Sequence, residues 1–358
     1  MKVLLFSRSY KDMAGGIEKK SLEIARGLAE LGHQVEIISL DSPGDQAFYD
    51  WPESVGWHQV GIGNPMLKAT AKQRYRRIIA IRRRLKLGVD VAIGFQVGAF
   101  ALLRLSSIGL NVRVIAAERN APTLFNYIRF GKLKKFFSNL ILFFACKVAI
   151  LFPEYERYYP FYLKSKLVVT PNWVSITSND SGSKSVKSDN QILFVGRFSY
   201  QKNVDCLLNA AALMTSEFEL VLVGSGDGLE SARDTAKRLE ITCTFISPTH
   251  NLEPLYRTSK LLCLPSRWEG FPNVAAEALA AGLPVVGFSE CAGLPELVLD
   301  ENSGELALGN GDPVSLAKAL DLAIAREYSA TNIVESVSKY THEAFIQAWE
   351  NACLNAIA

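Results

Sequence analysis

The stretch LLCLPSRWEGFPNVAAEALA, residues 261–280, has the order of a strand, a turn and a helix. The apolar run 261–264 is typical of a buried strand, and the turn at 270–273 precedes the helix. Glu269 lies in the turn, and Glu277, eight positions later, is predicted in the first helical turn. Backbone N–H groups at a helix start attract anions. Two carboxylates beside such a start suit a ligand with hydroxyls and phosphates, such as a nucleotide sugar.

Acidic residues near a helix start also stabilise the helix through its dipole. The pair alone therefore leaves a purely structural role open, and the rest of the chain has to be considered.

The pattern of strand and helix recurs on both sides of this stretch and indicates an α/β protein with parallel sheets. In the first half, strands are predicted at 2–6, 34–40, 89–94 and 112–117, with a helix at 17–31. In the second half, strands are predicted at 191–195, 219–223, 243–246, 261–264 and 284–288, with a helix at 203–214.

The segment 175–190 is polar and rich in turn-forming residues, which is typical of a linker between domains. We therefore expect an N-terminal domain at 1–174 and a C-terminal domain at 191–335. The helical stretch at the end, 336–358, is expected to pack back on the N-terminal domain.

Composition excludes several classes of protein. The 358 residues are 49% hydrophobic and 21% charged with a net charge of +3, which is ordinary for a globular protein and too small to indicate nucleic-acid binding. Six cysteines without a C-x-x-C pair and only four histidines argue against a zinc site. The apolar stretch 140–152 is interrupted by Lys147 and is too short to span a bilayer. We expect a cytoplasmic protein.

Arg197 and Lys202 follow the strand predicted at 191–195, at the edge of a parallel sheet where ligands bind. Arginine can grip a phosphate with two hydrogen bonds, and lysine adds a point charge. A solvated loop is the alternative interpretation. The glycines at 224, 226 and 228 do not satisfy G-x-G-x-x-G and predict a turn into a helix at Leu229.

Three further features leave alternatives open. Gly15-Gly16 permits close approach of a bound group to a helix start, or forms an ordinary tight turn. Glu118 and Arg119, after the strand at 112–117, lie where substrate would bind, or form a local ion pair. The segment 68–86 has nine basic residues and no acidic one, and the segment 127–137 is basic and aromatic. Both segments suit an anionic membrane surface. Alternatively, 68–86 is the solvated face of a helix and 127–137 is partly core.

Together these residues resemble the family 4 glycosyltransferases, retaining enzymes with the GT-B fold of two Rossmann-like domains that face each other across a cleft. The resemblance rests on the E-x7-E pattern from Glu269 to Glu277, on Gly196-Arg197 with Lys202, and on the N-terminal Gly15-Gly16 loop. The segments 223–228, 281–285 and 295–298 match the family in the same order, so the resemblance spans nearly the whole chain.

The resemblance implies a role for each site residue. Arg197 and Lys202 would stabilise the donor diphosphate, and Glu269 would contact the donor sugar. The segment Gly270, Phe271, Pro272 and Asn273 would support the diphosphate or the sugar hydroxyls. Glu277 would accept hydrogen bonds from the ribose, and Gly16 would approach the diphosphate.

Many members carry a histidine near the acceptor, where this chain has Glu118 and Arg119. Retaining enzymes of this type are thought to use the leaving phosphate as the base, so a dedicated acid/base residue is not required. The resemblance implies no metal and no cofactor, because the arginine and lysine neutralise the diphosphate.

We therefore expect a retaining glycosyltransferase that moves a sugar from a nucleotide sugar, with UDP favoured, to a growing surface polysaccharide or a lipid-linked glycan. A GDP-mannose-dependent mannosyltransferase and a catalytically silent nucleotide- or glycan-binding subunit are the alternatives. Nucleic acid is not expected as a partner. Attachment to the cytoplasmic face of the inner membrane is the expected location of a peripheral enzyme of this kind.

Overall fold

The computed structural model describes residues 1–11, 16–175, 188, 190–249 and 251–358. Gly15 of the predicted glycine loop and most of the predicted linker lie outside the described residues. The chain forms two compact units. The first consists of Met1–Asn120, Leu124–Asn172 and Glu343–Ala358, and the second of Ala121–Thr123 and Trp173–His342.

The first unit is built on a parallel sheet of seven strands in the order β3-β2-β1-β4-β5-β6-β7. The strands are β1 Lys2–Phe6, β2 Gln34–Ser39, β3 Gly56–Gln59, β4 Val91–Phe95, β5 Arg113–Ala117, β6 Lys147–Ile150 and β7 Leu167–Val169. The connecting helices are α1 Gly16–Glu30, α2 Ala71–Leu85, α3 Gln96–Ser106, α4 Gly131–Leu142 and α5 Phe161–Lys164. All five residues of β4 are buried, as expected for a central strand with helices on both faces.

The second unit is built on a parallel sheet of six strands in the order β10-β9-β8-β11-β12-β13. The strands are β8 Gln191–Val195, β9 Glu219–Val223, β10 Cys243–Ile246, β11 Leu261–Leu264, β12 Val285–Phe288 and β13 Gly304–Ala307. The helices are α6 Val204–Ala211, α7 Leu229–Arg238, α8 Glu253–Thr258, α9 Asn273–Ala280, α10 Pro313–Ala325 and α11 Ala330–Glu335.

The order of the second sheet reverses between β8 and β11. Successive strands are added on one side from β8 to β10, and on the other side from β11 to β13. Ligands of open α/β sheets bind outside the carboxyl ends of the strands at such a reversal, because the two outgoing loops diverge there. The loops after β8 and β11 carry Arg197, Lys202 and Glu269.

The predicted α/β fold with two Rossmann-like sheets is confirmed, and local patterns located most of its central strands. Four short strands near the sheet edges, β3, β6, β7 and β13, were not predicted. Residues 336–341 of the helical stretch predicted at 336–358 are not helical, and helix α12 spans His342–Ile357. Tyr340 instead accepts a backbone hydrogen bond from Val174 at 2.9 Å, and its side chain is buried.

Helix α12 belongs to the first unit, to which the chain returns after the whole second unit. Its Phe345 and Trp349 side chains are buried, and Glu350 lies 2.9 Å from the His33 ring. None of the helices in the described part of the chain is long and apolar enough to cross a membrane.

Candidate active site

The loops after β8 and β11 are bound to each other at the carboxyl edge of the second sheet. The Gln201 side chain donates to the Trp268 carbonyl at 2.9 Å, and the Arg267 N–H donates to the Gln201 carbonyl at 2.8 Å. These bonds align two segments that are far apart in sequence, so the residues that follow Gln201 and Trp268 face each other.

Lys202 and Glu269 form an ion pair at this position. The Lys202 Nζ lies 2.7 Å from the Glu269 Oε1, and the two side chains are only 17% and 8% exposed. The Glu269 backbone N–H also donates to the Ala292 carbonyl at 3.2 Å, which fixes the loop. A charge-assisted bond this well shielded from water holds the ammonium group in one place.

Two glycines allow the neighbouring loops to pass closely. Gly224 has φ +148°, and a Cβ there would lie 1.9 Å from the Gly196 carbonyl oxygen. A Cβ at Gly196 would in turn meet the Lys202 Cδ and Cε at 3.4 Å. The cluster at 224–228 leads into α7 at Leu229 as predicted, and Gly224 is needed at this crossing because any side chain would collide with backbone.

Arg197 is exposed and lines two cavities of the second unit. The larger, about 550 Å³, extends along the start of α6 and the loop before α7. The smaller, about 220 Å³, lies beside the carboxyl ends of β8 and β9 and is bordered by the segment after β10. Its lining residues are Val195, Gly196, Arg197, Val223, Gly224, Ser225, Pro248, Thr249 and Leu252.

The segment 270–277 forms the start of α9. The Phe271 side chain is buried with its ring centroid 5.4 Å from that of Tyr340, and Pro272 precedes the first helical residue, Asn273. Glu277 is therefore in the second turn of α9 and not in the first, because the helix begins only after the proline. The Glu277 side chain accepts a hydrogen bond from the Tyr256 hydroxyl at 3.1 Å.

Tyr256 contacts this region and was not identified from the sequence, whereas Glu296 lies in the segment 295–298 that matched the family but was given no role. Burial and the nearby Glu277 carboxylate raise the pKa of Tyr256 well above its usual value, so the phenol keeps its proton and donates. The buried Glu296 carboxylate accepts from the Gly293 N–H at 3.0 Å. The Tyr256–Glu277 contact has no local sequence signal because it joins α8 to α9, whereas the Glu296–Gly293 bond is local to one loop.

Gly16, Glu118 and Arg119 lie in the first unit. Gly16 is the first residue of α1, and Glu118 and Arg119 directly follow β5. The structure thus places Arg197, Lys202, Glu269 and the segment 270–277 around one sheet edge of the second unit, and the remaining predicted residues at the edge of the other sheet.

The Arg119 side chain is fixed in place by contacts within the first unit. Its guanidinium donates to the Thr170 carbonyl at 2.8 Å and to the Ala149 carbonyl at 3.1 Å, and lies 5.0 Å from the Trp349 ring centroid. These contacts join the loop after β5 to β6, to the end of β7 and to α12. Burial lowers the pKa of Arg119 to about 9, which leaves it charged at neutral pH.

Glu118 is a half-buried residue beside this arginine, and its Oε1 is shielded from solvent. Burial raises its pKa to about 7, and the Arg119 charge only partly opposes the shift. Its Oε1 has no hydrogen-bond partner among the described residues. Over the described part of the chain, histidine, cysteine, aspartate and glutamate side chains form no group of three that could hold a metal ion.

Two family models cover most of the chain. Residues 175–340 match the model of group 1 glycosyl transferases, and residues 14–153 match that of glycosyltransferase family 4. The chain belongs to the family 4 glycosyltransferases. It is therefore a glycosyltransferase by family, and the resemblance drawn from its motifs is confirmed.

Three curated relatives are similar over most of their length. An uncharacterized glycosyltransferase of Haemophilus influenzae is 28% identical over 320 residues, 87% of each chain. A Campylobacter jejuni α-1,4-N-acetyl-D-galactosaminyltransferase, named for an undecaprenol-diphosphate-linked glycan, is 26% identical over 96% of this chain and 95% of its own. The amylovoran biosynthesis glycosyltransferase AmsD of Erwinia amylovora is 25% identical over 80% of this chain and 81% of its own.

Solved structures support the GT-B fold. The lipopolysaccharide outer core galactosyltransferase WaaB superimposes with a TM-score of 0.81 at 16% identity, covering 99% of both chains. The Anabaena protein HepE, in complex with UDP and glucose, superimposes with a TM-score of 0.74 at 16% identity, covering 98% of both chains.

Proposed function

We propose that this glycosyltransferase moves a sugar, with retention of configuration, from a UDP-sugar to a growing polysaccharide or a lipid-linked glycan. The observation that carries the proposal is the shielded Lys202–Glu269 pair at the strand reversal of the second sheet, with the exposed Arg197 beside it. Two cations and a carboxylate at a sheet edge match the charges and hydroxyls of a nucleotide sugar.

Arg197 and Lys202 would stabilise the diphosphate. Negative charge grows on the leaving nucleoside diphosphate as the bond to the sugar breaks, and preorganised cations stabilise that charge most strongly where water is excluded. Glu269 would hold the Lys202 ammonium in position and accept hydrogen bonds from donor sugar hydroxyls.

The start of α9 would bind two parts of the donor, with 270–273 at the diphosphate or the sugar hydroxyls and Glu277 at the ribose. The segment 270–273 leads into the N-terminal end of α9, where the helix dipole favours an oxygen-rich, negatively charged ligand. Glu277 would accept from the ribose hydroxyls, with its carboxylate oriented by Tyr256. The smaller cavity, beside the ends of β8 and β9, has space for the base.

In the reaction, the bond between the sugar anomeric carbon and the phosphate oxygen breaks, and a bond to an acceptor hydroxyl oxygen forms on the same face. The acceptor proton passes to the leaving phosphate oxygen, so no protein base is required. Gly16 would approach the diphosphate from the first unit, and Glu118 would bind acceptor hydroxyls. Arg119 would position Glu118 and the loop after β5.

The donor and acceptor classes are supported by relatives. The Campylobacter enzyme is named for a lipid-linked glycan and the Erwinia enzyme for a polysaccharide, and the Anabaena structure contains UDP. These names describe those proteins only. Because they include UDP, a lipid-linked glycan and a polysaccharide, a UDP-sugar donor and a glycan acceptor are the first substrates to test on this chain.

The test is thermal stabilisation by UDP, GDP, ADP and their common sugar conjugates, because a ligand of the folded state alone raises the melting temperature. We expect UDP to raise it and the others to have little effect. Glu277→Gln should reduce the shift, while Glu327→Gln, at a side chain that is 96% exposed, should not. A shift with GDP alone would replace UDP by a guanine nucleotide, and no shift would contradict the donor site.

If a nucleotide raises the melting temperature, the next experiment is a sugar-transfer assay. We expect a lipid-linked or polysaccharide acceptor to gain a sugar whose anomeric configuration, read by NMR, equals that of the donor. An inverted product would contradict retention. Nucleotide binding without any transfer or donor hydrolysis would favour a silent binding subunit.

A further inference from the structure

Helix α4 of the first unit presents large apolar side chains to solvent. Leu133, Phe136, Phe137 and Leu140 recur at intervals of three and four residues, so they share one face of the helix. Each of them is between 46% and 59% exposed. Phe143 and Phe144, just after the helix, extend the row with 46% and 56% exposure. We call these six residues the α4 stripe.

Two more aromatic residues flank the α4 stripe. Phe130, directly before α4, is 64% exposed, and Phe161, the first residue of α5, is 85% exposed. The ring centroid of Tyr162 lies 6.0 Å from that of Phe143, which connects α5 to the stripe. Single exposed apolar residues are common, but a continuous exposed group of this kind marks a surface that contacts a membrane or another protein.

Positive charge surrounds the stripe. Lys132 and Lys134 are exposed on the same helix, and the Lys166 ammonium lies 4.7 Å from the centroid of the Phe143 ring. The sequence contains no aspartate or glutamate from residue 119 to residue 153. The partner that contacts the α4 stripe should therefore present apolar groups together with negative charge.

A second copy of this chain fits these charges poorly. In a two-fold dimer each patch faces itself, so the lysines of one stripe would face those of the other. A bilayer with anionic lipids fits better, because aromatic rings enter the boundary between headgroups and acyl chains while lysines remain among the phosphates.

The basic helix α2 differs from α4. Its Lys72, Arg74 and Arg76 are exposed, whereas the apolar Ile81 and Leu85 are buried against the unit. Helix α2 therefore exposes one large apolar side chain, Tyr75, among its charges, whereas α4 exposes four.

We propose that the α4 stripe inserts into the interface of a membrane that contains anionic phospholipid, with the α4 axis in the membrane plane. Helix α2 adds at most electrostatic attraction. This inference goes beyond the proposed transfer reaction and does not depend on it, since vesicle binding is measured without donor or acceptor.

The experiment is co-sedimentation of the purified chain with vesicles of phosphatidylcholine alone or of phosphatidylcholine and phosphatidylglycerol in equal parts. We expect binding to the mixed vesicles that weakens in high salt, and weaker binding to phosphatidylcholine alone. The double variant Phe136→Gln/Phe137→Gln should reduce partitioning about tenfold or more, because two rings no longer leave water.

The matched control is Leu213→Gln/Leu322→Gln, which removes two apolar side chains of similar exposure, 51% and 59%, from the second unit. It should bind vesicles as the wild type does. Lys132→Gln/Lys134→Gln should weaken binding more than Lys72→Gln/Arg76→Gln on α2. All these side chains are exposed, so melting temperatures should stay near that of the wild type.

Two outcomes would overturn the proposal. One is wild-type partitioning by Phe136→Gln/Phe137→Gln. The other is a wild-type chain that does not bind mixed vesicles and instead forms a dimer in sedimentation velocity, while Phe136→Gln/Phe137→Gln remains monomeric. Because nucleotide-induced stabilisation should persist in the stripe variants, failure of this proposal is distinguishable from failure of the donor site.

Discussion

At the scale of single residues, Lys202 and Glu269 combine a structural and a chemical role. Their side chains are nearly buried, so each charge depends on the other within a region of low polarity. Removing one member takes a shielded opposite charge away from the other, and removing both charges relieves that penalty. Stability and turnover should therefore respond differently to single and double substitution.

We predict that Lys202→Met lowers the free energy of unfolding by about 3 kcal/mol, because it leaves Glu269 without the lysine charge. Turnover should fall about 100-fold or more with loss of diphosphate stabilisation. The double variant Lys202→Met/Glu269→Gln should recover most of the stability but not the turnover. Denaturant unfolding and initial rates measure the two quantities. Wild-type turnover in the single variant would contradict the proposed role.

Glu118 predicts a dependence of stability on pH. Its pKa is about 7 in the folded chain, raised mainly by burial, against an unfolded value near 4.5. Stability from this group is complete below pH 4.5 and is lost as pH rises through 7, because only the unfolded chain ionises freely in that interval.

Glu118→Gln should therefore be more stable than the wild type at pH 8, by up to about 3 kcal/mol, and equal to it at pH 4. Denaturant midpoints at the two pH values test this. The exposed Glu154→Gln serves as the control and should show no such difference. A stabilisation that is equal at both pH values would show that ionisation of Glu118 is not its cause.

At the scale of elements, the site depends on two loops that cross without side chains between them. Gly224, at the end of β9, approaches the Gly196 carbonyl that precedes Arg197. The crossing sets the position of the loop after β8, and with it both cations. A small change in one loop should therefore alter a function carried by the other.

We predict that Gly224→Ala destabilises the second unit by more than 3 kcal/mol, about the upper end for a single substitution, and weakens nucleotide binding. The new methyl group would lie 1.9 Å from the Gly196 oxygen, so one loop has to move. Gly309→Ala is the matched control. It also has positive φ, +77°, but its nearest neighbour is 3.4 Å away, so it should cost only about 1 kcal/mol. Calorimetric titration with UDP reads out both variants, and equal effects would contradict the crossing argument.

At the scale of the whole molecule, the C-terminal helix belongs to the unit formed by the N-terminal half. The Trp349 side chain of α12 is fully buried, and its ring lies under the Arg119 guanidinium. The first unit is therefore complete only after the second has been synthesised, and its stability depends on residues 343–358.

We predict that Trp349→Ala destabilises the first unit by about 3–5 kcal/mol, the cost of a large cavity in a core. Hydrogen exchange followed by mass spectrometry should show faster exchange in β5, β6 and α12 and unchanged protection in β8–β12. Leu354→Ala, on the same helix but 49% exposed, should leave both units unaffected. Equal loss of protection in both sheets would contradict the assignment of α12 to the first unit.

Local sequence patterns were sufficient for the central strands and for the order of the motifs. The bounds of β1, β8, β9 and β11 were predicted from short apolar runs, because a buried parallel strand is apolar on both faces. The bounds of β10 were also predicted, although it is an edge strand with no buried residue. The edge strand β3, with the sequence GWHQ, carries no apolar run and was not predicted. The E-x7-E pattern and its neighbours identified the family because they are continuous in sequence.

The sequence by itself thus determined the α/β class, the family and the residue types of the candidate site. Only the tertiary structure decided that Lys202 meets Glu269, that Tyr256 orients Glu277, that Arg119 is held by Thr170 and Trp349, and that α4 exposes its apolar face. The physical reason is the distance along the sequence over which each effect acts. Periodicity and turn chemistry act over a few residues, whereas pairing and exposure depend on which distant segments the sheet order brings together.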